Sequence, residues 1–179
     1  MWSKRRSAFC AALVVATTAL LVGAAIPAEA APYWGTIGNY HSGKCLDDTN
    51  GYSGNGNQQQ IWTCLYNLNQ EWTFYNASGN TVLIQNEKSF KCLDMLGGSS
   101  ANGTHVVIWG CNSSDDAQRW YLIPTDIAHW YLFKNLASGT CMTVSADSQS
   151  NGAKVQGWHC TSNVGGDHAY YWEPHYPGL

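Results

Sequence analysis

The chain has 179 residues, of which 12% are charged and 13% are aromatic, and its formal net charge is −3. This length predicts one domain, and the charged fraction is about half the ~25% of an ordinary soluble domain. So few cations argue against a nucleic-acid-binding protein, and so many aromatic rings argue against disorder. The composition favours a polar, weakly charged domain whose surface suits a neutral, hydroxylated ligand.

The N-terminal segment is predicted to be a secretory signal peptide. Residues 4–6 are cationic, residues 8–26 form an apolar run, and the Ala-Glu-Ala at residues 28–30 places small side chains where a signal peptidase cleaves. A retained membrane anchor is the alternative, because the apolar run is nearly long enough to span a bilayer. Cleavage after Ala30 removes three of nine basic and one of twelve acidic residues, which leaves 149 residues with a net charge of −5. Residues 31–179 are therefore predicted to be a secreted domain without a membrane span.

Three copies of one unit follow the signal peptide. The six cysteines after residue 30 fall into three pairs, each 19 positions apart, and the pairs are offset by 47 and then 49 residues. An even number of cysteines in an exported chain predicts disulfides, and the equal spacing favours one bridge inside each copy. The predicted bridges are Cys45–Cys64, Cys92–Cys111 and Cys141–Cys160. The copies span about residues 33–77, 80–124 and 129–174.

Other residue types recur in the same register. An Asn precedes each first cysteine by six positions, an Asn-Gly pair follows it by ten, a Trp precedes each second cysteine by two, and another Trp closes each unit. Asn-Gly is a strong hairpin signal because both residues tolerate positive φ. No sustained 3.6-residue period is present, so each unit is predicted to form about four short strands. Units this small must share a core, which predicts an all-β fold around a pseudo-threefold axis.

The combination of Cys-Leu-Asp, Asn-Gly, Gln-x-Trp-x-Cys and Asn-Gln-x-Trp resembles the repeat of the ricin B-type lectins. This is the β-trefoil that carbohydrate-binding module family 13 also uses, and the resemblance covers essentially all of residues 31–179. It implies that each unit can hold a shallow sugar pocket, in which an Asp accepts hydrogen bonds from hydroxyls, an aromatic ring stacks on the sugar, and an Asn-Gln pair supports the site. These roles suit the chemistry, since a carboxylate offers two acceptor oxygens and an indole covers the apolar face of a pyranose.

The resemblance assigns sugar-binding residues unit by unit. The first unit has every expected residue: Asp47, Gln60, Trp62, Asn69 and Gln70. The second unit has Asp94, Trp109 and Gln118, with Val107 and Ala117 replacing a Gln and an Asn, and with Asn112 expected to supply a compensating polar group. The first pocket is therefore predicted to bind most strongly.

The third unit is predicted to have a weak or lost site. It keeps Gln156 and Trp158, but Thr143 stands where the other units have an Asp. Trp158 is followed by the closing Trp172 after 14 positions, against 10 and 11 in the other units, so this loop is rebuilt.

Structural roles compete with these assignments. The closing tryptophans Trp72, Trp120 and Trp172 are predicted to be core residues. Asp47 and Asp94 could be turn formers, since Asp favours turns, and the Gln residues could serve packing and backbone hydrogen bonds.

Signals for catalysis are poor. Gly-x-Ser-x-Gly and His-Glu-x-x-His are absent from the sequence, and the six His have no metal-ligand spacing. The adjacent carboxylates at residues 47–48 and 115–116 would point apart on a strand and make a poor acid–base pair. The chain is therefore predicted to be no enzyme and to use no cofactor and no metal.

The predicted function is that of a secreted, non-catalytic lectin. Its pockets would recognise galactose-type or xylose- and arabinose-type sugars on polysaccharides or glycans, and a separate enzyme or toxin chain is an open partner. The alternative is a β-trefoil interaction protein, either a toxin-delivery subunit or a protease inhibitor, whose loops contact protein.

Overall fold

A computed structural model describes residues 33–162 and 166–175, except for the side chains of residues 33 and 34. The predicted signal peptide, residues 1–30, lies outside the described residues. The described part is all-β, with short 3-10 helices in its loops, and it contains no helix long and apolar enough to cross a membrane. The strands are β1 (Tyr33–Asn39), β2 (Lys44–Asp47), β3 (Asn57–Gln58), β4 (Gln60–Trp62), β5 (Trp72–Ala77), β6 (Thr81–Asn86), β7 (Cys92–Met95), β8 (Thr104–Trp109), β9 (Trp120–Pro124), β10 (Tyr131–Asn135), β11 (Cys141–Val144), β12 (Val155–Trp158) and β13 (Trp172–His175).

Six of these strands close into a barrel. Within the repeats, β1 pairs with β5, β6 with β9, and β10 with β13. Between the repeats, β5 pairs with β6, β9 with β10, and β13 with β1. All of these pairings are antiparallel, and the β13–β1 pairing joins the third repeat to the first. Closure leaves no edge strand in the barrel and forces the three repeats to share one interior.

Three hairpins complete the fold, one in each repeat. They are formed by β2 with β4, β7 with β8, and β11 with β12. The three predicted disulfides are confirmed, and each connects the first strand of a hairpin to the loop after its second strand. A bridge that closes a loop of this size stabilises a domain by about 2–4 kcal/mol.

The closing tryptophans lie in the core, as the sequence predicts, and all three are fully buried. Each indole N–H donates to a backbone carbonyl of the hairpin in its own repeat, so the polar atom of the ring is satisfied. The N···O distances are 3.2 Å from Trp72 to Leu46, 3.1 Å from Trp120 to Leu93 and 2.9 Å from Trp172 to Met142.

The recurring asparagines six positions before each first cysteine are also buried. Each side-chain amide donates to the closing turn of the preceding repeat around the barrel. These bonds run from Asn39 to the carbonyl of Ala169, from Asn86 to Asn69 and from Asn135 to Ala117, over 2.9, 3.1 and 2.8 Å. The turn that closes one pocket is therefore held by the next repeat.

The Asn-Gly pairs lie in the connections of the three hairpins, as the sequence predicts, but they do not form two-residue turns. Strands β2 and β4 are joined by residues 48–59, because their ladder ends where Asp47 faces Gln60. The glycines have positive φ, +84° at Gly56 and +85° at Gly103 and Gly152, but the asparagines before them do not. The turn is the tip of a longer loop that reaches a neighbouring repeat, so a local turn rule could not predict its partner.

Candidate functional site

The first pocket lies beside hairpin β2–β4. Asp47 faces Gln60 across the hairpin, and Trp62 shares the face of Gln60 because alternate residues of a strand point the same way. Trp62 is 37% exposed, which leaves part of its indole available to a ligand. The pocket has a volume of about 140 Å³ and is lined by Asp47, Asn50, Gln60, Trp62, Leu65, Asn67 and Asn69.

Two amides hold the carboxylate of the first pocket. Gln60 Nε2 donates to Asp47 Oδ1 over 2.9 Å, and Gln70 Nε2 donates to Asp47 Oδ2 over 3.0 Å. Burial raises the pKa of Asp47 above its ordinary value. Both hydrogen bonds and the nearby charge of Lys154 oppose this rise without cancelling it. The two bonds fix the orientation of the carboxylate before any ligand arrives.

Gln70 acts behind the pocket and is not exposed. Besides Asp47, its amide donates to the carbonyl of Thr63 over 3.0 Å, and its oxygen accepts from the N–H of Leu65 over 2.7 Å. A single side chain thus ties the carboxylate to the loop after Trp62. We interpret Gln70 as a residue that positions the others.

Asn69 lines the pocket from the closing turn. Asn67 Oδ1 accepts from the N–H of Asn69 over 3.1 Å, and Asn86 of the second repeat donates to the Asn69 carbonyl. The side chain of Asn69 packs on Gly51, whose φ is +60° and whose missing Cβ would lie 2.7 Å from Asn69 Oδ1. A glycine is therefore favoured where the two loops meet.

This pocket is also lined by three residues that no sequence motif predicted to bind sugar: Asn50, Leu65 and Asn67. Asn50 has φ +59°, and Asn is one of the few residues that adopts this conformation readily. An Asn before a Gly is a signal for such a position, but it does not reveal which way the side chain faces.

The second pocket has the same backbone plan and is larger, about 600 Å³. Asp94 on β7 faces Val107 on β8, and Trp109 is 41% exposed. The buried Val107 takes the place of Gln60, so one amide donor to the carboxylate is missing. The lining consists of Asp94, Leu96, Gly97, Gly98, Trp109, Asp115, Asp116, Ala117 and Ala137.

Charge is distributed differently in the second pocket. Burial raises the pKa of Asp94 to about 6; the Gln118 side chain opposes this shift, and the charge of Asp115 adds to it. Asp115 and Asp116, which the sequence predicts to be a poor acid–base pair, form part of the pocket wall. Asp115 accepts from the N–H of Ala117 over 3.0 Å, and Asp116 pairs with Arg119 over 2.8 Å.

Gln118 repeats the arrangement of Gln70. It is fully buried, donates to the carbonyl of Gly110 over 3.0 Å and accepts from the N–H of Asn112 over 2.8 Å. The side chain of Asn112 accepts from the N–H of Ser114 over 3.0 Å and is not part of the pocket lining. The structure therefore places Asn112 in the supporting loop.

The third repeat replaces both the carboxylate and the buried glutamine of the other two repeats. Thr143 replaces the carboxylate, is buried, and donates its hydroxyl to the carbonyl of Ala169 over 3.3 Å. Tyr170 replaces the buried Gln and joins a hydrophobic cluster with Leu132, Ala169 and Tyr171. Gln156 faces Thr143 across the hairpin, and Trp158 is 40% exposed. This repeat thus keeps its indole and loses its carboxylate.

The fold and the pockets define a β-trefoil protein with shallow surface sites built from carboxylate, indole and amide groups. Residues 33–165 match the profile of the ricin-type beta-trefoil lectin domain, and the chain belongs to this family. The family supports carbohydrate binding in general. A search of curated proteins finds no match.

Solved structures share the fold. The designed 3-fold symmetric protein ThreeFoil is 23% identical, with a TM-score of 0.73, over 78% of this chain and 96% of that chain. The Rhizoctonia solani agglutinin is 18% identical, with a TM-score of 0.71, over 85% and 100%. The exo-beta-1,3-galactanase 1,3Gal43A from Clostridium thermocellum is 27% identical, with a TM-score of 0.71, over 82% of this chain but only 30% of that one. The fold thus occurs both as nearly a whole chain and as about a third of an enzyme chain.

Proposed function

We propose that this protein is a secreted, non-catalytic lectin that binds galactose-type or xylose- and arabinose-type sugars in the pockets of its first two repeats. The observation that carries the proposal is the first pocket, where Gln60 and Gln70 orient Asp47 beside the exposed ring of Trp62. An ionised carboxylate with fixed oxygens accepts bonds from two neighbouring hydroxyls, while the indole covers the C–H face of the ring. The disulfides support export to an oxidising compartment.

The first pocket is proposed to bind more strongly than the second. In the first, both carboxylate oxygens receive amide donors, and Asn69 and Asn67 add further amides to the lining. In the second, Val107 supplies no donor and Asp115 repels the charge on Asp94. A single shallow pocket is expected to bind a monosaccharide in the roughly millimolar range. Two pockets that engage one polysaccharide could gain on the order of 10²-fold through avidity.

A glycan array followed by calorimetry tests this function. Galactosides, xylans and arabinans are the probes, and the matched variants are Asp47→Ala and Thr143→Ala. The expected result is binding to at least one of these classes, which Asp47→Ala weakens at the first pocket and Thr143→Ala leaves unchanged. If none of them binds to the wild-type chain, the proposed function is wrong.

The alternative function, contact with a protein partner, has one observation in its favour. Leu65, Tyr66 and Leu68 are 56%, 74% and 50% exposed, and they lie in the loop beside the first pocket. Exposed apolar side chains in one loop are typical of a contact surface. Co-purification of a partner that sugar does not displace would favour this alternative.

A further inference from the structure

The Asn-Gly turn of each repeat hydrogen-bonds to a neighbouring repeat. The bonds lie on both sides of the exposed tryptophan of that neighbour. Around Trp62, the N–H of Gly152 donates to the carbonyl of Ile61 over 2.9 Å, and the N–H of Thr63 donates to Asn151 Oδ1 over 2.9 Å. The Thr63 hydroxyl adds a third bond to Asn151 Oδ1, over 3.1 Å. The strand segment that carries Trp62 is thus held from both directions.

The same arrangement occurs around Trp109. The N–H of Gly56 donates to the carbonyl of Ile108 over 2.9 Å, and the N–H of Gly110 donates to Asn55 Oδ1 over 3.1 Å. The turn of the second repeat, at residues 102–103, makes the equivalent bonds around Trp158 of the third repeat. These bonds join it to residues 157 and 159, both over 2.9 Å. The contacts run cyclically, from repeat three to one, from one to two and from two to three.

The glycines of these turns lie beside the indole rings. A Cβ on Gly152 would lie 3.8 Å from Cζ3 of Trp62, and one on Gly56 would lie 3.6 Å from Cζ3 of Trp109. The φ of each glycine is positive, so any other residue would be strained there. The Asn therefore fixes the backbone beside the tryptophan, and the Gly supplies the positive φ that the turn needs next to the ring.

We propose that Asn151 and Gly152 of the third repeat are positioning residues for Trp62 in the first pocket. Asn55 and Gly56 of the first repeat have the same role for Trp109 in the second pocket. The first pocket is then a composite of two repeats, which gives the third repeat a binding role although Thr143 replaces its own carboxylate. This inference rests on the proposed function, because it treats the exposed tryptophans as sugar platforms.

The test compares Asn151→Ala with Asn55→Ala in the exported chain. Both variants remove one side-chain acceptor between repeats, so a general loss of stability would affect them alike. The indole N–H resonances of Trp62 and Trp109, assigned with Trp62→Phe and Trp109→Phe, report each pocket during titration with galactose, xylose and arabinose. Loss of one net hydrogen bond is expected to weaken sugar binding about threefold to tenfold at the affected pocket. Asn151→Ala should affect only Trp62, and Asn55→Ala should affect only Trp109.

Two further measurements separate positioning from folding. Asn151→Asp keeps the acceptor oxygen and should restore binding at the first pocket to within about twofold of the wild type, since both donors to it remain. In sugar-free protein, the heteronuclear NOE of the Trp62 indole should fall in Asn151→Ala and stay unchanged in Asn55→Ala.

Equal weakening of both pockets by both variants would overturn the proposal, as would an unchanged Trp62 NOE in Asn151→Ala. If the wild-type chain binds none of the sugars, the proposed function fails. The NOE comparison would still decide whether Asn151 orders Trp62.

Discussion

The first and second pockets share one backbone plan, yet their carboxylates have different surroundings. Asp47 is held by two amides, whereas Asp94 faces Val107 and shares its pocket with Asp115. As a result, the first pocket is small and its acceptor is fixed, while the second is wider and burial keeps the pKa of its acceptor near 6. A repeat can therefore retain its fold while a substitution at one strand position changes the charge and order of its site.

Removal of the carboxylates should give the largest effect. Asp47→Ala is expected to weaken sugar binding at the first pocket on the order of 100-fold, because it removes hydrogen bonds to a charged group. Asp94→Ala should weaken the second pocket about tenfold, and Thr143→Ala should change neither pocket. Titrations followed at the Trp62 and Trp109 indoles measure both pockets. Equal losses from all three variants would contradict the comparison.

The exposed tryptophans provide the next test. Trp62→Ala is expected to weaken binding at the first pocket about tenfold, since the stacking surface for the sugar ring is lost. Trp158→Ala is the matched control, because Trp158 is similarly exposed but has Thr143 instead of a carboxylate beside it. Calorimetry on both variants measures the difference. A comparable loss with Trp158→Ala would show that the third repeat binds sugar.

The pH dependence should separate the two pockets. Asp94 has a pKa of about 6, so its carboxylate becomes mostly protonated between pH 7 and pH 5. Asp115 and Asp116 add negative charge to the same pocket, while Arg119 is paired with Asp116. Binding at the second pocket should weaken about threefold to tenfold over this range, because protonation removes a charged acceptor. Sugar titrations at pH 7 and pH 5 measure this effect. In the control variant Asp94→Asn, binding at the second pocket should be the same at both pH values.

The same shift has a defined sign for stability. Between about pH 3.8 and pH 6, the folded chain holds a proton on Asp94 that the unfolded chain has released. The contribution of this group to stability is therefore present at low pH and is lost as the pH rises through that window. Asp94→Asn should remove this pH dependence from both binding and unfolding. If the variant shows the same pH dependence as the wild type in both measurements, the pKa of about 6 for Asp94 is contradicted.

The smallest effect is expected from supplying the missing amide. Val107→Gln places a donor opposite Asp94, at the position that Gln60 occupies opposite Asp47. One added hydrogen bond to a carboxylate should lower the pKa of Asp94 and tighten the second pocket about twofold to threefold. NMR titration of the Asp94 carboxyl and of the Trp109 indole measures both quantities. An unchanged pKa in this variant would contradict the view that the missing amide distinguishes the two carboxylates.

Much of the fold could be predicted from the sequence, because the repeats align residues that play the same part. The 19-residue cysteine spacing predicted the three bridges. The resemblance to the ricin B-type repeat separated the buried Trp72 from the exposed Trp62 and assigned Asp47 and Trp62 to one pocket. A one-dimensional pattern is sufficient here, since each of these contacts lies within one hairpin or its closing strand.

The remainder of the site depends on contacts that no local pattern contains. Asn112 was expected at the second pocket, but its side chain bonds within its own loop, because backbone N–H groups nearby take the amide oxygen. Gln70 and Gln118 were expected to support the sites or to serve packing and backbone hydrogen bonds, and both lie buried behind their pockets, but the sequence did not show which backbone groups they hold. Spacing places a residue near a site without telling which way its side chain points.

An all-β chain of three repeats, with a disulfide in each and a site carboxylate in two of them, could be predicted from the sequence alone. The dependence of the repeats on one another becomes visible only in the folded molecule. Asn151 and Thr63 are 88 positions apart, and their hydrogen bond exists because barrel closure brings the third repeat against the first. The low charge of the chain suits a neutral sugar, but the order of each pocket comes from amides and turns that neighbouring repeats bring to it.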